Sequence, residues 1–335
     1  MFLLKGATSP HKDQTGAPIP GSIAELMKVK IGGVDQWLLI RGEDLRNPVL
    51  LFVHGGPGQS NMYLSHLLDG ELEKYFTIVN WDQRGAGKSV AAGKADPAAM
   101  RLEQLLQDAG EVIRYVLAKL NTEKLYVLGH SFGTILGMLI TQRYPAFIRR
   151  YIGLCQSVGL QENLKASYAY IVREAERAGD SKTLRELAKI GPPPFVSFAK
   201  GLWKYSLLLQ KYGGKVHSKP GGAVFRSIWT APEYSLADRF RYIQGVMFSV
   251  KHLYRELLAH DLQKAVQKVE VPVSFFLGTY DQATPSHQAA EYLKLLDAPH
   301  KELVWFEQSA HLPQFEEPQK YVQELVRLRG IGNYS

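Results

Sequence analysis

The chain has 335 residues, 45% of them hydrophobic and 21% charged, which is ordinary globular composition. That length fits one large domain carrying an insertion, or two modest domains, and no stretch approaches the ~20 apolar residues of a membrane span. The formal charge of +8 is localised, because residues Cys155 to Arg255 hold 16 Lys and Arg against 7 Asp and Glu. These cations are scattered and accompany no nucleic-acid-binding motif, so they predict a solvated basic face. The opening run Met1-Phe2-Leu3-Leu4-Lys5 is too short for a secretory signal. Cys155 is the single cysteine, which excludes an intrachain disulfide and predicts a reducing, cytoplasmic setting. A small buried apolar residue is the expected role for it.

Two alternating segments, Ile23 to Ile31 and Gln36 to Ile40, flank Gly32-Gly33-Val34-Asp35 and predict an antiparallel hairpin. Val49-Leu50-Leu51-Phe52-Val53 is continuously apolar, as a strand buried on both faces would be, and runs into His54-Gly55-Gly56-Pro57-Gly58. A further strand over Thr77 to Asn80 leads into Trp81-Asp82-Gln83-Arg84-Gly85-Ala86-Gly87-Lys88-Ser89. Asp96-Pro97 offers an N-cap and first-turn pair for a helix with apolar residues at 102, 105, 106, 109, 112, 113, 116, 117 and 120. Leu125 to Leu128 and Tyr151 to Leu154 are the next buried strands. The alternation predicts an α/β fold with a mostly parallel central sheet and helices on both faces.

From about residue 158 to 258 the pattern turns helical, basic and aromatic, broken by Gly191-Pro192-Pro193-Pro194 and Lys219-Pro220-Gly221-Gly222. This predicts an inserted helical cap between a first core part, residues 1–157, and a second, residues 259–335. Phe195, Phe198, Trp203, Tyr205 and Leu207 to Leu209 are expected in the cap core, with the stems of Lys200 and Lys204 lying along it. Strands resume over Val271 to Leu277 and Leu303 to Phe306, and a helix from about Pro318 to Leu328 closes the chain.

Gly129-His130-Ser131-Phe132-Gly133 joins the Leu125 strand to a second apolar run. Strand, G-x-S-x-G, then helix is the nucleophile elbow of an α/β-hydrolase. A serine hydroxyl attacks only when an imidazole takes its proton, and that imidazole needs a carboxylate to fix its tautomer. In this fold the order is Ser, then acid, then His, each on a loop after a strand. Asp281, in Gly278-Thr279-Tyr280-Asp281, and His311, in Ser309-Ala310-His311, satisfy both conditions. Asp297, at a helix end, and Glu307, too near His311 in sequence, fit less well. Oxyanion donors are expected from the backbone N–H of Phe132 and of Gly56. A binding protein on a hydrolase scaffold would not require all three of these partners in place, so the complete set argues against that class.

His54-Gly55-Gly56-Pro57-Gly58, Asp82-Gln83-Arg84-Gly85-Ala86-Gly87-Lys88-Ser89 and Gly129-His130-Ser131-Phe132-Gly133-Thr134 together resemble the proline iminopeptidase family of α/β-hydrolases. The resemblance implies Ser131, Asp281 and His311 as catalytic residues and Gly56 with Phe132 as the oxyanion hole. It implies release of N-terminal residues from short peptides or a similar small-molecule substrate, with no metal or organic cofactor. Family members hold the substrate amine with cap carboxylates, and Glu233 is the best single candidate here. The family carries Gly-Gly-Ser-Trp-Gly-Ser at the elbow, and here His130 and Phe132 stand in place of Gly and Trp. An esterase acting on small apolar esters is the alternative.

Overall fold

The structure is a computed structural model that describes residues 6–90, 96–195, 198–218, 224 and 226–330. Met1 to Lys5, the breaker Lys219-Pro220-Gly221-Gly222 and the side chains of Phe198 and Lys200 lie outside the described residues. Eight strands form one sheet: β1 (Ile23–Ile31), β2 (Val34–Gly42), β3 (Val49–Val53), β4 (Thr77–Asp82), β5 (Leu125–His130), β6 (Ile148–Leu154), β7 (Val273–Gly278) and β8 (Lys301–Phe306). Their order is β1-β2-β4-β3-β5-β6-β7-β8. The β1–β2 and β2–β4 pairs are antiparallel and every other pair is parallel.

Odd and even positions of the strands feed separate cores. Leu51, Val53, Val79, Val127, Val273 and Phe275 pack with Leu105, Ile113 and Val116 of α1 (Leu102–Lys119) and Ile135 of α2 (Phe132–Arg143). Leu50, Phe52, Ile78, Leu128, Ile152 and Phe276 face the other way, toward Tyr321 and Leu325 of the C-terminal helix Pro318–Gly330. Burial on both faces is why these strands read as unbroken apolar runs. Each such side chain contributes about 1.5–3 kcal/mol.

The N-terminal end of α1 differs from the expectation. Asp96 and Pro97 open only a single turn, Pro97–Ala99, with the Ala98 N–H donating to Asp96 Oδ1 at 2.9 Å. The helix starts at Leu102, whose N–H is taken by Glu256 Oε2 at 2.9 Å. A carboxylate far along the chain satisfies a donor that no local side chain reaches.

Between β6 and β7 the described residues hold helices α3 (Leu160–Arg177), α4 (Ser181–Ile190), α5 (Phe198–Lys211) and α6 (Leu236–Ala259). They enclose a core of their own from Leu164, Ile171, Leu187, Phe195, Tyr205, Leu209 and Tyr254. Trp203 and Leu207 are exposed, so only part of the 195–209 stretch is interior. α6 begins with a capping box between Ser235 and Asp238.

The Asp82–Ser89 motif binds these layers together. Arg84 lies against Asp108 of α1 in a two-pronged pair, Nε to Oδ2 and Nη2 to Oδ1, both 2.9 Å. Its Nη2 also donates to Gly32 O in the β1–β2 turn at 2.9 Å. Arg84 is nearly buried and Asp108 fully so, and Gln36 and Gln104 donate to the same carboxylate. A buried charge is tolerable only when hydrogen-bonded this completely.

Candidate active site

Parallel register brings the chemistry to one edge. Val53 pairs with Gly129 and with Trp81, His130 with Leu154, Leu154 with Phe276, and Gly278 with Phe306. The loops after β3, β4, β5, β6, β7 and β8 therefore open side by side at the carboxyl ends of the strands, where open α/β sheets bind ligands.

Ser131 is the N-cap of α2, with φ 57 and ψ −125. A non-glycine residue in that region is strained and marks a site held by its surroundings. The turn is tight enough that a Cβ at Gly133 would lie 2.0 Å from Val53 O, and one at Gly129 would lie 2.5 Å from Gly133 O. The half-buried Ser131 hydroxyl stands 2.9 Å from His311 Nε2. His311 Nδ1 lies 2.8 Å from Asp281 Oδ2. The structure thus brings together three residues separated by 150 and 30 positions. Asp297 and Glu307, the competing acids, form surface ion pairs with Lys268 and Lys320 instead.

Asp281 is fully buried, and its carboxylate is saturated with donors. The N–H groups of Ala283 and Thr284 reach Oδ1 at 2.8 and 3.1 Å, and Thr284 Oγ lies 2.9 Å from Oδ2. Burial alone would raise its pKa, but His311 and these hydrogen bonds outweigh that and hold it below the ordinary carboxylate value. An ionised acid beside Nδ1 keeps Nε2 free to accept the Ser131 proton.

Sequence reasoning missed the groups that hold His311 from behind. His130 Nε2 lies 3.0 Å from His311 O, and burial with the neighbouring imidazole pushes the His130 pKa down to about 3. A neutral His130 with its proton on Nε2 donates there. Glu316 accepts the Ala310 N–H on Oε2 at 2.8 Å and the His217 and Ser218 N–H groups on Oε1 at 2.6 and 2.7 Å. The His311 N–H itself donates to Lys215 O at 3.0 Å. Cys155 is buried as expected, but it sits beside the acid, where burial and then the Asp281 charge raise its thiol pKa well above normal. A sequence signal was available for the turn after Asp281, since an aspartate side chain commonly accepts the backbone N–H two residues on, as it does from Ala283.

Gly56, with φ +115, lies in the loop after β3, and a side chain there would meet Gln59 N at 2.5 Å. The loop is braced by His54, whose Nε2 accepts the Gln83 N–H at 3.2 Å while Gln83 Nε2 donates to His54 O at 3.0 Å. Burial pushes the His54 pKa down to about 4, so it stays neutral. Phe132 opens α2, where a helix leaves N–H groups without internal acceptors.

Glu233 is not brought to this set. Its carboxylate is buried, with Oε2 unpartnered, and its electrostatic neighbours are Arg41, Thr8 and Glu73 on the β2 side. Burial raises its pKa. Among the described residues, His130, Cys155 and His311 are the group close enough to hold a metal ion, and two of them already serve the hydrogen bonds above. No helix among the described residues is long and apolar enough to cross a membrane.

Comparison with known proteins agrees with this architecture. A family profile described as alpha/beta hydrolase fold matches residues 48–185. The chain is 34% identical over 313 residues to the probable aminopeptidase YbaC of Bacillus subtilis (strain 168), covering 92% of this chain and 98% of that one. It is 26% identical to the proline iminopeptidase of Heyndrickxia coagulans, covering 82% and 88%. The crystal structure of the Mycobacterium smegmatis proline iminopeptidase superposes with a TM-score of 0.67 at 18% identity, covering 92% and 98%. The chain belongs to the α/β-hydrolases, in the family of proline iminopeptidase-like members.

Proposed function

We infer that this hydrolase works through an acyl-enzyme, with Ser131 as nucleophile, His311 as general base and then acid, and Asp281 as the carboxylate that orients His311. One observation carries the reading: the unbroken chain Ser131 Oγ to His311 Nε2 (2.9 Å) to Asp281 Oδ2 (2.8 Å). The backbone N–H groups of Gly56 and Phe132 receive the oxyanion. Residues 158–258 act as a cap over the site, and the setting is a reducing, cytoplasmic one. No metal or organic cofactor takes part in these steps.

The substrate is the N-terminal residue of a short peptide, proline first. The three motifs and the names carried by the similar chains support this choice. A second reading, hydrolysis of small apolar esters, is favoured by the position of Glu233, whose carboxylate lies with Arg41 and Thr8 and not with Ser131.

Proline p-nitroanilide, its N-blocked analogue and short p-nitrophenyl esters separate the two. Preference for the free amine supports the aminopeptidase, whereas indifference to it with fast ester cleavage supports the esterase. Ser131→Ala should lower turnover of either substrate by roughly 10⁴-fold or more and abolish fluorophosphonate labelling, with the melting temperature retained. Undiminished labelling of that variant would remove Ser131 from the mechanism.

A further inference from the structure

The outer face of α6 has a composition that its packing does not explain. Leu236, Phe240, Ile243 and Met247 recur at helical spacing and share an arc of about 60°. All four are exposed, Phe240 by 62% and Ile243 by 66%. Exposed Trp229 meets Phe240 edge-on at 5.8 Å and widens the apolar ridge. The opposite face is seated: Ser249 Oγ donates to Gly85 O at 3.1 Å, and Gly245 and Ser249 press on Gly58. The helix is therefore fixed on the protein with its ridge turned outward. Large exposed apolar patches on soluble proteins mark places where something binds.

Charge identifies the occupant. α6 carries Arg239, Arg241, Lys251 and Arg255 against two acids, Asp238 and Glu256. Both acids lie on the side of the helix away from the ridge. Asp238 caps the helix and pairs with Lys88 at 2.6 Å, and Glu256 accepts the Leu102 N–H. At 100° per residue the exposed Lys251 and Arg255 lie along one side of the ridge and the half-buried Arg239, which donates to Ala231 O, along the other; Arg241 lies further round, and no carboxylate of α6 shares the ridge's half. We propose that this face of α6, with Trp229, is a docking surface for an anionic lipid bilayer. A convex apolar ridge edged by Arg and Lys lies about 5–10 Å into the headgroup boundary, with tryptophan at headgroup level. Anionic headgroups then meet the flanking cations. A second copy of the chain would set the same cations against one another, which disfavours self-association through this face.

The test uses the full chain in flotation with phosphatidylglycerol–phosphatidylcholine vesicles and with phosphatidylcholine alone. Binding to the anionic vesicles should be at least tenfold tighter and should weaken with salt. Phe240→Ser with Ile243→Ser should reduce it about tenfold or more, with the melting temperature and hydrolytic rate unchanged. Lys251→Gln and Arg255→Gln together should reduce it toward the level of neutral vesicles. The proposal falls if the Phe240/Ile243 variant binds as well as the native chain, since bulk charge would then suffice. Absence of vesicle binding overturns it too. So does a dimer abolished by that variant without vesicle binding, or equal binding to polyglutamate. These readouts do not depend on Ser131, so they stand apart from the assignment of the reaction.

Discussion

Thr284 shows how much of the candidate site rests on a single hydroxyl. Its Oγ lies 2.9 Å from Asp281 Oδ2 and 3.0 Å from Cys155 O, tying the acid to the loop after β6. Thr284→Val keeps the shape and removes both contacts. We expect kcat to fall about tenfold, the worth of one strong hydrogen bond, and Thr284→Ser to restore it. Unchanged turnover in the valine variant would make the hydroxyl a bystander. Ser131, Asp281 and His311 were legible in the sequence because each follows an apolar strand, and strand ends are readable from hydropathy. The role of His130 was not, because the carbonyl it serves is 181 residues away. Glu233 was legible as a cap carboxylate, but the direction of its side chain was not.

At the scale of elements, the short helical turn Pro313–Glu316 and the strip 214–218 act as one clamp on the loop of His311. Glu316 receives N–H groups from both sides, on Oε2 from Ala310 and on Oε1 from His217 and Ser218. Glu316→Gln keeps the size but turns an NH2 group toward a backbone N–H, so one donor loses its acceptor. Fluorophosphonate labelling of Ser131 and kcat should both slow about tenfold while KM stays nearly constant. A change in KM alone would make Glu316 part of substrate binding instead. The strands, the hairpin and the run of helices after β6 all follow from periodicity, whereas the order of the strands in the sheet does not. The start of α1 does not, because Glu256 supplies its first acceptor from another layer.

Across the whole molecule, stability should respond to pH through buried groups in several parts of the fold. Asp69 is buried, and burial with the nearby Glu73 charge raises its pKa to about 7. The folded chain then holds this proton more tightly than the unfolded one, so Asp69 stabilises below about pH 4 and that contribution drains away as pH rises toward 7. His54 and His130 act in the opposite sense. Their unfolded imidazoles protonate near 6.5 while the folded ones wait until about 4 and 3, so stability falls as pH drops through that window. Asp69→Asn retains an oxygen to accept from Asn80 and removes the titration. The melting temperature of this variant minus that of the native chain should rise by about 5 °C from pH 4 to pH 7. A flat difference would show Asp69 ionising normally.

The strip 214–218 has one more consequence. Gly214 O accepts the Gln282 N–H and Lys215 O accepts the His311 N–H, both at 3.0 Å, while Ser167 of α3 donates to Gln282 O. The helices between β6 and β7 are thus fastened to the segments bearing residues 281 and 311. Swinging them away as a rigid door would drag the imidazole and its carboxylate out of line. Smaller adjustments at the rim would leave both residues in line with Ser131.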